Sequence, residues 1–259
     1  MAKSWAKFPY ADKKFVYTAA TLKKAWERLH KGDCEPFPKD EAVVEAWIAF
    51  HAGEFHKAAE LGAKAGGAGI TVANKATSIY ANYLEENDKT KLTLFEEVAA
   101  RAEQQQADEP KNANAFYWHA YALGRYAQGI SVAKALAAGI GGKVKASLET
   151  AIKLAPKHAD AHIALGAYHA EIIDKVGAMV GGLTYGAKKD VGLKHFETAL
   201  KLNPDSAIAR IEMANGLVML EGKKALAKAE ALYGEAAACE PADAMEKLDI
   251  ELAKAELED

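Results

Sequence analysis

The sequence predicts an all-α fold, a right-handed solenoid of stacked helix-turn-helix units. Three observations carry the helical class and its repetition, while the handed stacking is what the resemblance given below implies. Apolar residues recur at helical spacing along nearly all of the 259 residues. Alanine is abundant and β-branched runs are absent, so local propensity agrees with the pattern. Proline closes successive apolar helix ends at Pro110, Pro156, Pro204 and Pro241, at intervals of 46, 48 and 37 residues.

Taken in order, the first helix is expected over residues 12–31, where Phe15, Ala19, Leu22, Trp26 and Leu29 form one stripe. Gly53-Glu54-Phe55 and Ala58 read as the turn and second helix of a hairpin, and Leu94–Val98 as part of the next. From Asn112 onward the units are clearer. Asn114 to Trp118 opens a helix that carries Leu123-Gly124, and Val144, Leu148 and Ala151 mark its partner before Pro156. His162, Leu165, Gly166 and His169 then pair with Gly192, Phe196 and Ala199 before Pro204. Met213, Ala214 and Leu217 pair with Ala229, Tyr233 and Ala236 before Pro241. Small residues let paired helices approach closely while large ones fill the gaps between neighbours.

These positions resemble the tetratricopeptide repeat family, whose units of about 34 residues carry a Leu-Gly pair, an A-x3-F second helix and a closing Pro. Tyr117-Trp118, Gly129 and the Ile152–Pro156 helix end also resemble the divergent repeats of regulators of microtubule dynamics and of the T component of TRAP transporters. The resemblance implies degenerate hairpins over 1–111, repeats with extended turns over 112–241 and a terminal helix over 242–259 that caps the stack. It also places Asn114, Tyr117, Tyr121, Asp160, Ile163, Ala167, Ile208, Ile211 and Asn215 on the concave face. The expected role is a non-enzymatic scaffold that binds a protein or peptide there. This lining lacks the basic residues that the family's clamp for acidic chaperone tails requires.

Two units exceed the repeat length, with Gly-rich apolar insertions over 129–142 and 174–189. Of the 20 glycines, 11 fall between Gly124 and Gly192. Stacking puts both insertions on one edge, where mutual packing is the expected arrangement. The alternative is a cleft for an apolar carboxylate, rimmed by Lys134, Lys143, Tyr185 and Lys188, with Lys145, Lys175 and Lys189 beside them. A self-associating structural subunit is a third reading. The last 20 residues hold 8 acidic and 2 basic side chains, a pattern expected of a solvated face.

Chemistry is excluded piece by piece. The net charge of -3, with four Arg, argues against nucleic acid as a partner. No secretory leader or membrane span is read, and cytoplasmic residence is the expectation. Cys34 and Cys239 are too far apart for a metal motif and are expected to be free and buried. His158, His162 and His169 share a helical spacing that a metal could use, but the repeat register makes His162 and His169 packing residues and places His158 in the preceding turn. Gly142-Lys143-Val144 breaks the phosphate-loop pattern. No catalytic residue, metal or cofactor is expected.

Overall fold

The computed structural model describes residues 5–258, and within them every regular element is helical. The helices are α1 (Ala19–Leu29), α2 (Glu41–His51), α3 (Phe55–Ala65), α4 (Gly69–Tyr83), α5 (Asp88–Asp108), α6 (Ala113–Gln128) and α7 (Val132–Ala137). They continue with α8 (Ile140–Leu154), α9 (Ala159–Val176), α10 (Ala178–Tyr185), α11 (Lys189–Leu202), α12 (Ala207–Glu221), α13 (Leu226–Ala237) and α14 (Ala244–Glu258). Five hairpins follow one another: α2/α3, α4/α5, α6/α8, α9/α11 and α12/α13. The first helix of each also touches the first helix of the next, which is the translational stacking of an α-solenoid. Between α6 and α9 that contact is slight, and a cavity opens there.

Local chemistry sets the helix starts. The side chains of Asn87, Asn112 and Ser206 accept backbone N–H bonds at the first turns of α5, α6 and α12. His158 does the same for α9, its Nδ1 accepting from the Ala161 amide at 3.1 Å. The first expected helix is interrupted. Phe15 lies in a 3-10 turn capped by Asp12, and Thr18 starts α1 with a reciprocal capping box to Thr21.

Phe196 shows why the Leu-Gly pair exists. Its fully buried ring lies between α9 and α12, where a Cβ on Gly166 would come within 2.9 Å of it and one on Gly216 within 2.5 Å.

The hollow side is occupied in part by the chain itself. Beyond packing on α13, α14 crosses to α1 and the first hairpin, where His51 Nδ1 of α2 donates to Asp243 at 2.7 Å and Arg28 of α1 pairs with Glu246 at 2.5 Å. Tyr17 donates its hydroxyl to the Ala242 carbonyl at 2.7 Å. The turn after α1 reaches the same space, as the Asp160 amide donates to the Gly32 carbonyl at 3.1 Å. The terminal helix is thus more than an end cap.

Candidate functional site

What remains of the concave face is one cavity of about 180 Å³. The first helices of the last four hairpins each turn a stripe at helical spacing into it: Lys75, Ile79 and Tyr83 from α4, Tyr117, Tyr121 and Gly124 from α6, Asp160, Ile163 and Ala167 from α9, Ile208 and Glu212 from α12. Met245 and Asp249 of α14 complete the inner side. The outer side comes from the insertions, with Val132, Ala135 and Leu136 of α7, Ile140 and Gly141 of α8, and Lys175 and Tyr185 of the second insertion. Most of the wall is apolar or aromatic.

The insertions therefore both pack and frame. A Cβ on Gly141 would stand 3.4 Å from the Tyr185 ring, and Lys145 Nζ donates to the Tyr185 carbonyl at 3.3 Å. Lys134, Lys143, Lys188 and Lys189 stand exposed and off the wall. Of the expected lysine and tyrosine rim, Tyr185 and Lys175 face the cavity.

Tyr117, Tyr121, Asp160, Ile163, Ala167 and Ile208 come together as described. Three others placed on the concave face do not reach it. Asn114 is buried, donating to the Asp33 carbonyl at 3.0 Å and to Glu35 at 2.6 Å while accepting from His158 Nε2 at 2.9 Å. Ile211 is buried with Ala236 and Ile250. Asn215 is held by the Tyr233 hydroxyl at 2.5 Å. Asn114 shares the inward stripe of α6 but lies at its first turn, where the turn after α1 covers it, whereas Ile211 and Asn215 are engaged by α13 and α14. Lys75, Tyr83, Arg125, Glu212, Met245 and Asp249 were not foreseen. The i, i+4 spacing of Lys75, Ile79 and Tyr83 was the available signal for α4.

The polar groups of the wall are mostly committed to each other. Lys75, buried, holds Asp33 at 2.6 Å and lies over the Trp47 and Phe50 rings at 5.6 and 5.2 Å. Burial opposes the Asp33 charge, yet Lys75 and His30 keep that carboxyl well below its ordinary range. Arg125 pairs with Glu212 at 2.9 Å and covers the Tyr121 ring at 5.3 Å. Tyr83 donates to Asp249, whose carboxyl is raised well above the ordinary value by burial. Burial and the nearby Asp33 charge push Asp160 up to about 7.

Elsewhere, the three histidines separate. His162 shares a hydrogen bond with His195 at 2.8 Å, His169 accepts from the Lys188 amide, and His158 caps α9. Among the described residues no three His, Cys, Asp or Glu side chains assemble as a metal-binding group. Both cysteines are free, but neither is fully buried: Cys34, at a turn position with φ of 52°, is exposed and Cys239 is half-buried. No described helix is long and apolar enough to cross a membrane.

The family model described as regulator of microtubule dynamics protein 1-3 matches residues 71–256. The chain belongs to that family. The match begins in α4 and ends in α14, so it takes in every helix that lines the cavity. Among solved structures, a thermophilic TPR protein of Thermus thermophilus is similar at 15% identity and a TM-score of 0.57, covering 83% of this chain and 98% of that one. This likeness identifies the family's fold here as that of a TPR-like helical repeat. A monomeric mutant of IFIT1 with Gppp-AAAA matches at 15% identity and a TM-score of 0.42, over 86% of this chain and 55% of that one. No curated protein matches the sequence.

Proposed function

We propose that this chain is a non-enzymatic helical-repeat scaffold that captures an apolar segment of a protein or peptide in the cavity of its concave face. One observation carries the reading: four successive first helices each direct a stripe into the same largely apolar space. A preformed pocket with aromatic walls loses little entropy on binding and suits a buried anchor side chain. Because α14 and the turn after α1 cover part of the hollow side, capture is confined to this cavity.

The test fills the space. Peptides selected from a random display library on the full chain are titrated against the protein and its Ala167→Trp variant by fluorescence anisotropy. Ala167 is half-buried on the wall, so the indole occupies the cavity with little disturbance elsewhere. The affinity is expected to fall by about tenfold or more, with the melting temperature kept. Equal binding by both proteins places capture elsewhere.

A second reading, a small apolar ligand in the same cavity, is favoured by the enclosure that α7, Tyr185 and α14 give it. Native mass spectrometry of the protein from its own host distinguishes the two through a retained small molecule.

A further inference from the structure

The charges on the cavity wall favour one class of occupant, an inference that rests on the cavity being the capture site. Three cations line it and each is engaged: Lys75 with Asp33 at 2.6 Å, Arg125 with Glu212 at 2.9 Å, and Lys175 beside Glu171 at 3.8 Å. Four carboxyl groups line it. Glu212 takes Arg125, Glu171 accepts from Gln128 at 2.6 Å, and Asp249 accepts from Tyr83. Among the described lining residues, the Asp160 side chain is the carboxyl with no hydrogen bond or ion pair. The Tyr117 hydroxyl is likewise without a hydrogen-bond partner, although Tyr117 is only 7% exposed and lines the cavity.

Asp160 is held from behind. Its amide is tied to the Gly32 carbonyl at 3.1 Å, and a side chain on Gly32 would collide with the carboxyl. The carboxyl is half-buried and opens on the cavity, so an arriving donor can reach it and meets an acceptor that no protein group has taken.

We infer that the cavity takes an organic ammonium group, whose apolar body lies among Tyr121, Ile163 and Ile208 and whose N–H groups bond the Asp160 carboxylate and the Tyr117 hydroxyl. A charge-assisted bond in a dry site is strong, and the Tyr117 and Tyr121 rings offer negative faces to a cation. An anionic ligand would meet Asp160 and find each lining cation already paired. Before binding, burial keeps Asp160 protonated up to about pH 7. The ammonium then displaces that proton, which passes to the buffer. The titratable groups that feel the Asp160 charge are Asp33, Lys75, Glu246, Asp249, the Cys34 thiol and Tyr117.

Three probes with one apolar body test this: 4-phenylbutylammonium, 4-phenylbutanol and 4-phenylbutanoate, titrated calorimetrically into the full chain. The ammonium is expected to bind about tenfold tighter than the alcohol, and the carboxylate weakest. At pH 6 its heat depends on the ionisation enthalpy of the buffer, showing proton release, and at pH 8.5 that dependence disappears. Asp160→Asn brings the ammonium to the alcohol's affinity. Should that variant fail to fold, proton release by the unaltered protein decides. Equal affinities for all three probes, or a preference for the carboxylate, overturn the charge assignment while leaving the cavity reading intact if Ala167→Trp abolishes binding. No binding by any probe overturns both. An ammonium preference that survives Asp160→Asn with no proton release overturns the assignment to Asp160.

Discussion

His51 donates a hydrogen bond to Asp243 at 2.7 Å, joining the first hairpin to the last helix across 192 positions of sequence. Both side chains are buried. Burial opposes the Asp243 charge, but the His51 bond and the Glu246 amide hold its carboxyl below the ordinary range. Breaking one partner of such a pair leaves the other uncompensated. Asp243→Ala should therefore cost about 3 kcal/mol, read as a lower urea midpoint. A loss below about 0.5 kcal/mol, typical of a surface change, would show that the two ends are not coupled.

The seat of Phe196 between Gly166 and Gly216 gives a sterically defined case. Alanine at position 216 adds a methyl 2.5 Å from the ring, inside any real contact distance. Overpacking costs about 1–3 kcal/mol and the better helix propensity returns about 1, so Gly216→Ala should destabilise by up to about 2 kcal/mol. The double variant with Phe196→Leu should recover part of that loss. Additive losses would mean that the ring is not what limits residue 216.

The contrast between these two contacts shows what the sequence made legible. The Leu165-Gly166 pair, Phe196 and the closing Pro204 lie within one unit, so local spacing exposes the stacking that they produce. Tyr121, Ile163 and Ile208 follow from the same register. The partners of Asp243 and of the Gly32 turn lie far away in sequence and follow no repeat, so the filling of the hollow side leaves no periodic trace. Lys75 and Tyr83 sit in an upstream unit that departs from the pattern. Asn114 was legible as an inward polar residue, but not which of two inward directions it takes.

Asn114 separates architecture from capture. Its amide joins Asp33, Glu35 and His158, uniting the turn after α1 with α6 and the start of α9. Asn114→Ala leaves three buried groups without a partner and should cost about 2–3 kcal/mol. Once folded, the variant should bind the selected peptides with unchanged affinity. A stable variant that has lost peptide binding would return Asn114 to the recognition surface.

Stability should fall as pH rises from about 7.5 to 8.5. Burial, aided by Asp33, raises Glu35 to about 8 and Asp160 to about 7. Between their ordinary values near 4 and these folded values, the folded chain holds protons that the unfolded chain has released, so raising pH favours unfolding. Glu171, Glu246 and Asp249 are also raised and act in the same direction. Histidines oppose this only at lower pH. Burial lowers His30, His158, His169 and His195 to about 4, so the unfolded chain takes up their protons below about 6.5 and stability is lost there as pH falls. By about pH 7.5 the unfolded histidines have shed most of their protons, and the carboxyl effect stands alone. Urea midpoints measured from pH 5 to 8.5 should decline through the upper part of that range, and Glu35→Gln should make the decline shallower. A midpoint that holds steady or climbs between pH 7.5 and 8.5 would mean that Glu35 is ionised in the folded chain.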